Sequence, residues 1–229
     1  MRSDKEDTWT FWDLTGCPDE LIVHLIQLAQ LAKQNEYAAT NTWLTFDLAP
    51  ITATETALRE WQSEMFAEPS YHDFTSDSSA VSAEADFNAQ MDRFHCAEAW
   101  RLALLVYSQR VFRWDRTLAH PSTTSRIARM ILDHVRACRR ISQTQKQLLL
   151  PVFLAGSEVE DDFLRQCAKS YCTWWARRSH YKMFDTVGDL LEDIWNWRRE
   201  SPSSWWGDVI ERKMRSSDAG TNEAHYLFG

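Results

Sequence analysis

Between Cys96 and Phe112 apolar side chains fall on nearly every face of a helical repeat. A helix of that kind cannot present a polar side to water, so other helices must surround it. That stretch sets the expected fold class: all-α, a single domain of about eight helices around a buried central helix. The flanking sequence agrees. Pro18-Asp19-Glu20 suits a first helical turn, where a missing N–H and acidic side chains are both favourable. Leu21, Ile22, Leu25, Ile26, Leu28, Ala29 and Ala32 then form an apolar stripe running to about Tyr37. Further helices are predicted over Thr52 to Phe66, Glu84 to Leu118, 124–140, 143–155, Ser157 to about His180, Phe184 to Trp197 and Trp205 to Met214. Only six glycines and six prolines argue against a turn-rich β fold.

Residues 1–10 read as an N-terminal tail, 11–215 as the helical domain and 216–229 as a C-terminal tail. Serines, acids and a proline without any period mark 68–82 as a mobile loop. With 229 residues, 44% of them hydrophobic, the chain can bury a large core. Acidic residues outnumber basic ones by 33 to 25, for a formal net charge of −8. Such a balance disfavours phosphate backbones, and direct nucleic-acid binding is not expected. No apolar run approaches the ~20 residues that cross a bilayer, so no membrane insertion is expected. Five scattered cysteines fit reduced thiols, and the expected location is intracellular, cytoplasmic or nuclear. A homo-oligomer remains compatible with the composition.

The run Leu148-Leu149-Leu150-Pro151-Val152-Phe153-Leu154-Ala155-Gly156 reads as a buried helix with a proline bend and a glycine stop. It resembles a signature of the regulatory domain of fungal-specific zinc-cluster transcription factors. Three further segments agree in order. Gly16-Cys17-Pro18-Asp19-Glu20-Leu21-Ile22 resembles the opening helix start of that family. Glu98-Ala99-Trp100-Arg101 through Tyr107-Ser108-Gln109-Arg110-Val111-Phe112 resembles its central helix, and Leu190-Leu191-Glu192-Asp193-Ile194-Trp195 a late helix. The resemblance spans roughly residues 11–200. It departs from the family at the DNA-binding module: six thiolates in Cys-x2-Cys spacing cannot be drawn from Cys17, Cys96, Cys138, Cys167 and Cys172. With the chain opening at Met1, this leads to the expectation of a stand-alone relative that persists for another reason.

Metal ligation is not expected. His95 and Cys96 are adjacent, and Cys167 and Cys172 five apart, so neither pair shares a helix face. Nor is any cofactor expected, because phosphate-loop, dinucleotide and nucleophile-elbow patterns are all missing. The aromatic residues are more informative. There are twelve tryptophans. Trp100 and Tyr107 lie seven apart on one side of the central helix; Tyr171, Trp174 and Trp175 form a second patch, and Trp195 closes the late segment. Large aromatics are usually core, but such a set also suits the wall of an apolar chamber between helices. His95, Glu98 and Arg101 recur at spacings of three and would form its polar edge.

Beside a plain binding or scaffold protein whose tryptophans are all core, two functions follow. One is a cofactor-free cyclase or pericyclase acting on an apolar terpenoid or polyketide. Orientation would lower the barrier, and His95, Arg101 or Tyr107 would polarise a carbonyl beside Glu98, Trp100, Tyr171, Trp174, Trp175 and Trp195. The other, implied by the resemblance, is a regulator or modulator that senses a ligand or partner without reading DNA itself. The apparent independence from a DNA-binding module inclines the sequence reading to the first.

Overall fold

The computed structural model describes residues 15–61, 80–115, 122–201 and 205–218. They form nine α-helices and no strand: α1 Asp19–Thr40, α2 Ala49–Glu60, α3 Ala80–Ser108, α4 Ser122–Ala137, α5 Gln143–Lys146, α6 Leu149–Glu158, α7 Asp162–Ser179, α8 Lys182–Glu200 and α9 Trp206–Asp218. A π-helical turn, Gln109–Arg113, continues α3. The all-α expectation holds, and α3 is the expected centre. It packs most extensively on α4 and also touches α6, α2, α1 and α5. Ala97, Ala99 and Ala103 are buried along it beside Trp100, Leu104 and Val106. Small residues on that helix let its neighbours approach closely, which is why a helix so apolar can be enclosed on several sides.

The run at 148–156 behaves differently from its local rules. Pro151 is the third residue of α6, where its missing N–H removes no helical bond, so the proline starts the helix and does not bend it. Gly156 lies inside α6, which continues to Glu158. A Cβ there would meet Ala168 Cβ and the Leu191 methyls at 3.1 Å. Its glycine therefore serves the close packing of α6 on α7 and α8. The predicted start of the next helix at Ser157 moves to Asp162. Val159 is extended and Asp161 caps α7, its carboxylate accepting from Leu164 N at 3.0 Å.

Gly16 carries the other constrained backbone. Its φ is +63°, and a Cβ there would fall 2.3 Å from Gln147 Cβ. This docks the start of α1 beside α5, with the Cys96 thiol donating to the Gly16 carbonyl at 3.1 Å. Helix α2 begins at Ala49, three residues ahead of expectation, with Pro50 in its first turn. The predicted end of that helix at Phe66 lies outside the described residues, as do the tail at 1–10, the end of the central helix at 116–118 and most of the loop at 68–82. Residues 80–82 open α3, and 216–218 continue α9 instead of belonging to a tail. Among the described residues no helix is long and apolar enough to cross a membrane.

Candidate functional site

The polar line on α3 forms as its spacing requires. Arg101 Nε donates to Glu98 Oε1 at 3.0 Å and its Nη2 to Oε2 at 2.7 Å. Arg101 Nη1 also donates to the Leu58 carbonyl at 3.1 Å, tying α3 to the last turn of α2. His95 leaves this pair and faces α4, its Nδ1 3.0 Å from His134 Nδ1, so one ring donates and the other accepts. Burial pulls the His134 pKa down, His95 and Arg101 push the same way, and Glu98 and Asp133 oppose them. Glu98 and Arg101 thus pair with each other while His95 turns to α4, and the hydrogen-bonding atoms of all three engage the protein.

The predicted aromatic residues sit in three places. Trp100 is buried on α3, and its indole N–H meets no acceptor among the described residues. Tyr107 is half-buried, 6.4 Å from the Trp206 ring, and burial raises its pKa. On α7, Tyr171 Oη donates toward the carbonyls of Gln145 and Lys146 at 3.0 and 2.9 Å. Trp175 Nε1 donates to Gln145 Oε1 at 3.1 Å, while Gln145 Nε2 donates to the carbonyls of Val135 and Cys138. Gln145 therefore pins α7 to the C-terminal end of α4. Trp174 is exposed and donates to the Arg140 carbonyl. Trp195 Nε1 donates to the Gly156 carbonyl at 2.8 Å. Tyr171 and Trp175 meet through Phe184; Trp195 belongs to the α6–α8 contact.

A groove of about 440 Å³ lies between the second half of α1 and residues 44–50, walled by Leu31, Tyr37, Leu44, Phe46 and Pro50. None of the predicted site residues lines it. Among the described residues no three metal-ligating side chains converge. Burial also pushes up the thiols of Cys17, Cys96, Cys138 and Cys172, the last to about 12. These thiols stay protonated near neutral pH and are poor nucleophiles.

One cluster was not anticipated. Arg110, in the π-helical turn, donates through Nε to Glu158 Oε1 at 2.8 Å, and both side chains are fully buried. Trp114 covers the Arg110 guanidinium at 3.8 Å. Arg198 of α8 shares the neighbourhood and is 7% exposed. Burial lowers its pKa, Arg110 and Arg165 add to the fall, and Glu158 and Glu160 oppose it. Arg110 and Glu158 are 48 residues apart, so helical spacing could not have joined them. Their place beside two matched signatures was the available clue.

The geometry is that of an enclosed helical bundle whose polar groups mostly bind one another. The sequence model for the fungal specific transcription factor domain matches residues 2–218. The chain belongs to that family. Comparisons with curated proteins and with solved structures return no match.

Proposed function

We propose that this chain is a regulatory helical domain that controls transcription through ligand or protein contacts and not through base reading of its own. The observation that carries the reading is the family match, which runs over nearly the whole chain. The internal bonding supports it. The expected carbonyl-polarising groups of a ring-forming catalyst, His95 and Arg101, are held by His134, Glu98 and Leu58. Tyr107 packs on Trp206. The net charge of −8 suits a domain that works beside a DNA reader without binding phosphates itself.

The test is to fuse the chain to a heterologous DNA-binding module and read a reporter gene in a fungal host. A folded, expressed fusion should change reporter output relative to the module alone. Equal output, with the fusion shown to occupy its site, would overturn the regulatory reading. Turnover of a terpenoid or polyketide precursor by the purified chain, lost in Arg101→Met, would restore the cyclase.

A further inference from the structure

Among the described residues, Arg198 is the arginine of the buried cluster whose whole guanidinium makes no hydrogen bond. Its Nε, Nη1 and Nη2 are buried and find no hydrogen-bond acceptor among the described residues. A guanidinium presents five N–H donors and keeps its charge in proteins, so the group cannot be relieved by losing a proton. Glu158, whose charge favours this cation, holds Arg110 through Oε1 at 2.8 Å and makes no hydrogen bond to Arg198. Nearby Arg165 adds positive charge; it donates to the Val159 carbonyl and pairs at 3.6 Å with Asp162, whose own side chain is exposed. Glu160 is exposed as well. Among the described residues the surroundings thus leave a buried guanidinium with no hydrogen-bonded anion, on a planar fork shaped for two oxygens.

We infer that Arg198 is the binding residue of an internal site for a small oxyanion, bordered by Arg165 and the Arg110–Glu158 pair. A single negative charge matches the single guanidinium. A carboxylate therefore fits better than a phosphate dianion, which Glu158 would repel about twice as strongly. Arg198 lies in the last turn of α8, where the helix dipole holds a cation in place. The ligand class is then an organic acid, bound through its carboxylate between α6, α7 and α8. The inference stands apart from the regulatory proposal: reporter activity and anion binding are separate readouts and can fail separately.

The experiment titrates the full chain with sodium acetate, inorganic phosphate and sodium chloride at constant ionic strength, reading thermal unfolding and calorimetric heat. Acetate should raise the unfolding temperature saturably, phosphate less, and chloride should not match either. Arg198→Met, which keeps the buried stem and removes the donors, should weaken acetate binding at least about tenfold. Arg199→Met, its exposed neighbour, should bind like the parent. Should Arg198→Met fail to fold, Arg198→Lys keeps the charge, loses the fork and should still bind more weakly. No saturable heat with the parent chain, or equal stabilisation by all three anions, would overturn the site. Undiminished acetate binding by whichever Arg198 variant folds would overturn it too.

Discussion

Glu98–Arg101 and Glu158–Arg110 are the same chemical pair at nearly the same separation, 2.7 and 2.8 Å, in opposite surroundings. The first lies three residues apart on one helix, with side chains 16% and 20% exposed. The second joins α6 to the end of α3 and is fully buried. Water still reaches the first pair and takes up much of its charge. Around the second, desolvation is complete, and the mutual attraction of the two charges offsets part of its cost. The difference shows where this fold is vulnerable. A partly exposed pair decorates a helix that would form without it. A buried pair has to be complete, or the core holds an uncompensated ion.

The sharpest way to break that comparison is to remove one carboxylate from each pair. Glu158→Ala should lower unfolding free energy by about 3–5 kcal/mol in urea melts, because Arg110 stays buried without this carboxylate. A loss no larger than that of the matching Glu98 change would show that the buried pair is not what holds α6 to α3.

Smaller, but still above the Glu98–Arg101 pair, is the neutral anchor on α7. Trp175→Phe keeps most of the ring and removes the N–H that reaches Gln145 Oε1 at 3.1 Å. A buried acceptor is left without its donor, so the cost should be about 1–3 kcal/mol. Trp100→Phe, by the same measurement, should cost less, since the Trp100 N–H has no acceptor among the described residues. Equal losses would show that ring volume, and not the bond to Gln145, decides both sites.

These contrasts also mark what the sequence could reveal. The helices were readable because burial on one stripe, or all round at 96–112, writes a 3.6-residue period into local sequence. The Glu98–Arg101 pair was readable for the same reason, its partners being three apart. Pro151 and Gly156 were misread as bend and stop because both rules are local. Pro151 falls in the first turn, and Gly156 answers to Ala168 and Leu191 from other helices. Arg110, Glu158 and Arg198 meet only through tertiary packing, so no spacing announced them. The aromatic residues were individually noted, yet Tyr171, Trp175 and Trp195 each spend a polar hydrogen on backbone or Gln145. Which acceptor each finds is likewise set by packing.

A third expectation concerns acid. The His134 pKa lies below the ordinary 6.5, chiefly through burial, so the folded chain binds that proton less readily than the unfolded chain. Stability should therefore be unaffected by this group above about pH 6.5 and fall as pH drops through the folded value. His134→Gln should flatten that part of the profile when unfolding temperature is followed from about pH 7.5 to 5. A profile unchanged by the substitution would mean that His134 is not the group whose protonation the fold resists.

The smallest effect belongs to the partly exposed pair itself. Glu98→Gln keeps the side-chain shape and one acceptor but removes the charge, and Arg101 retains its bond to the Leu58 carbonyl at 3.1 Å. At neutral pH the loss should be about 0.2–1 kcal/mol and should shrink further in high salt. Its consequence for His134 is more specific. Glu98 is one of the two groups that hold the His134 pKa up against burial, His95 and Arg101. Without that charge the folded value moves further below 6.5, and the stability lost on acidification grows. Urea melts of parent and Glu98→Gln near pH 7.5 and pH 5 would read both effects together. A neutral-pH loss comparable to that of Glu158→Ala would erase the distinction between the pairs. An equal acid loss in parent and variant would show that Glu98 acts on Arg101 alone.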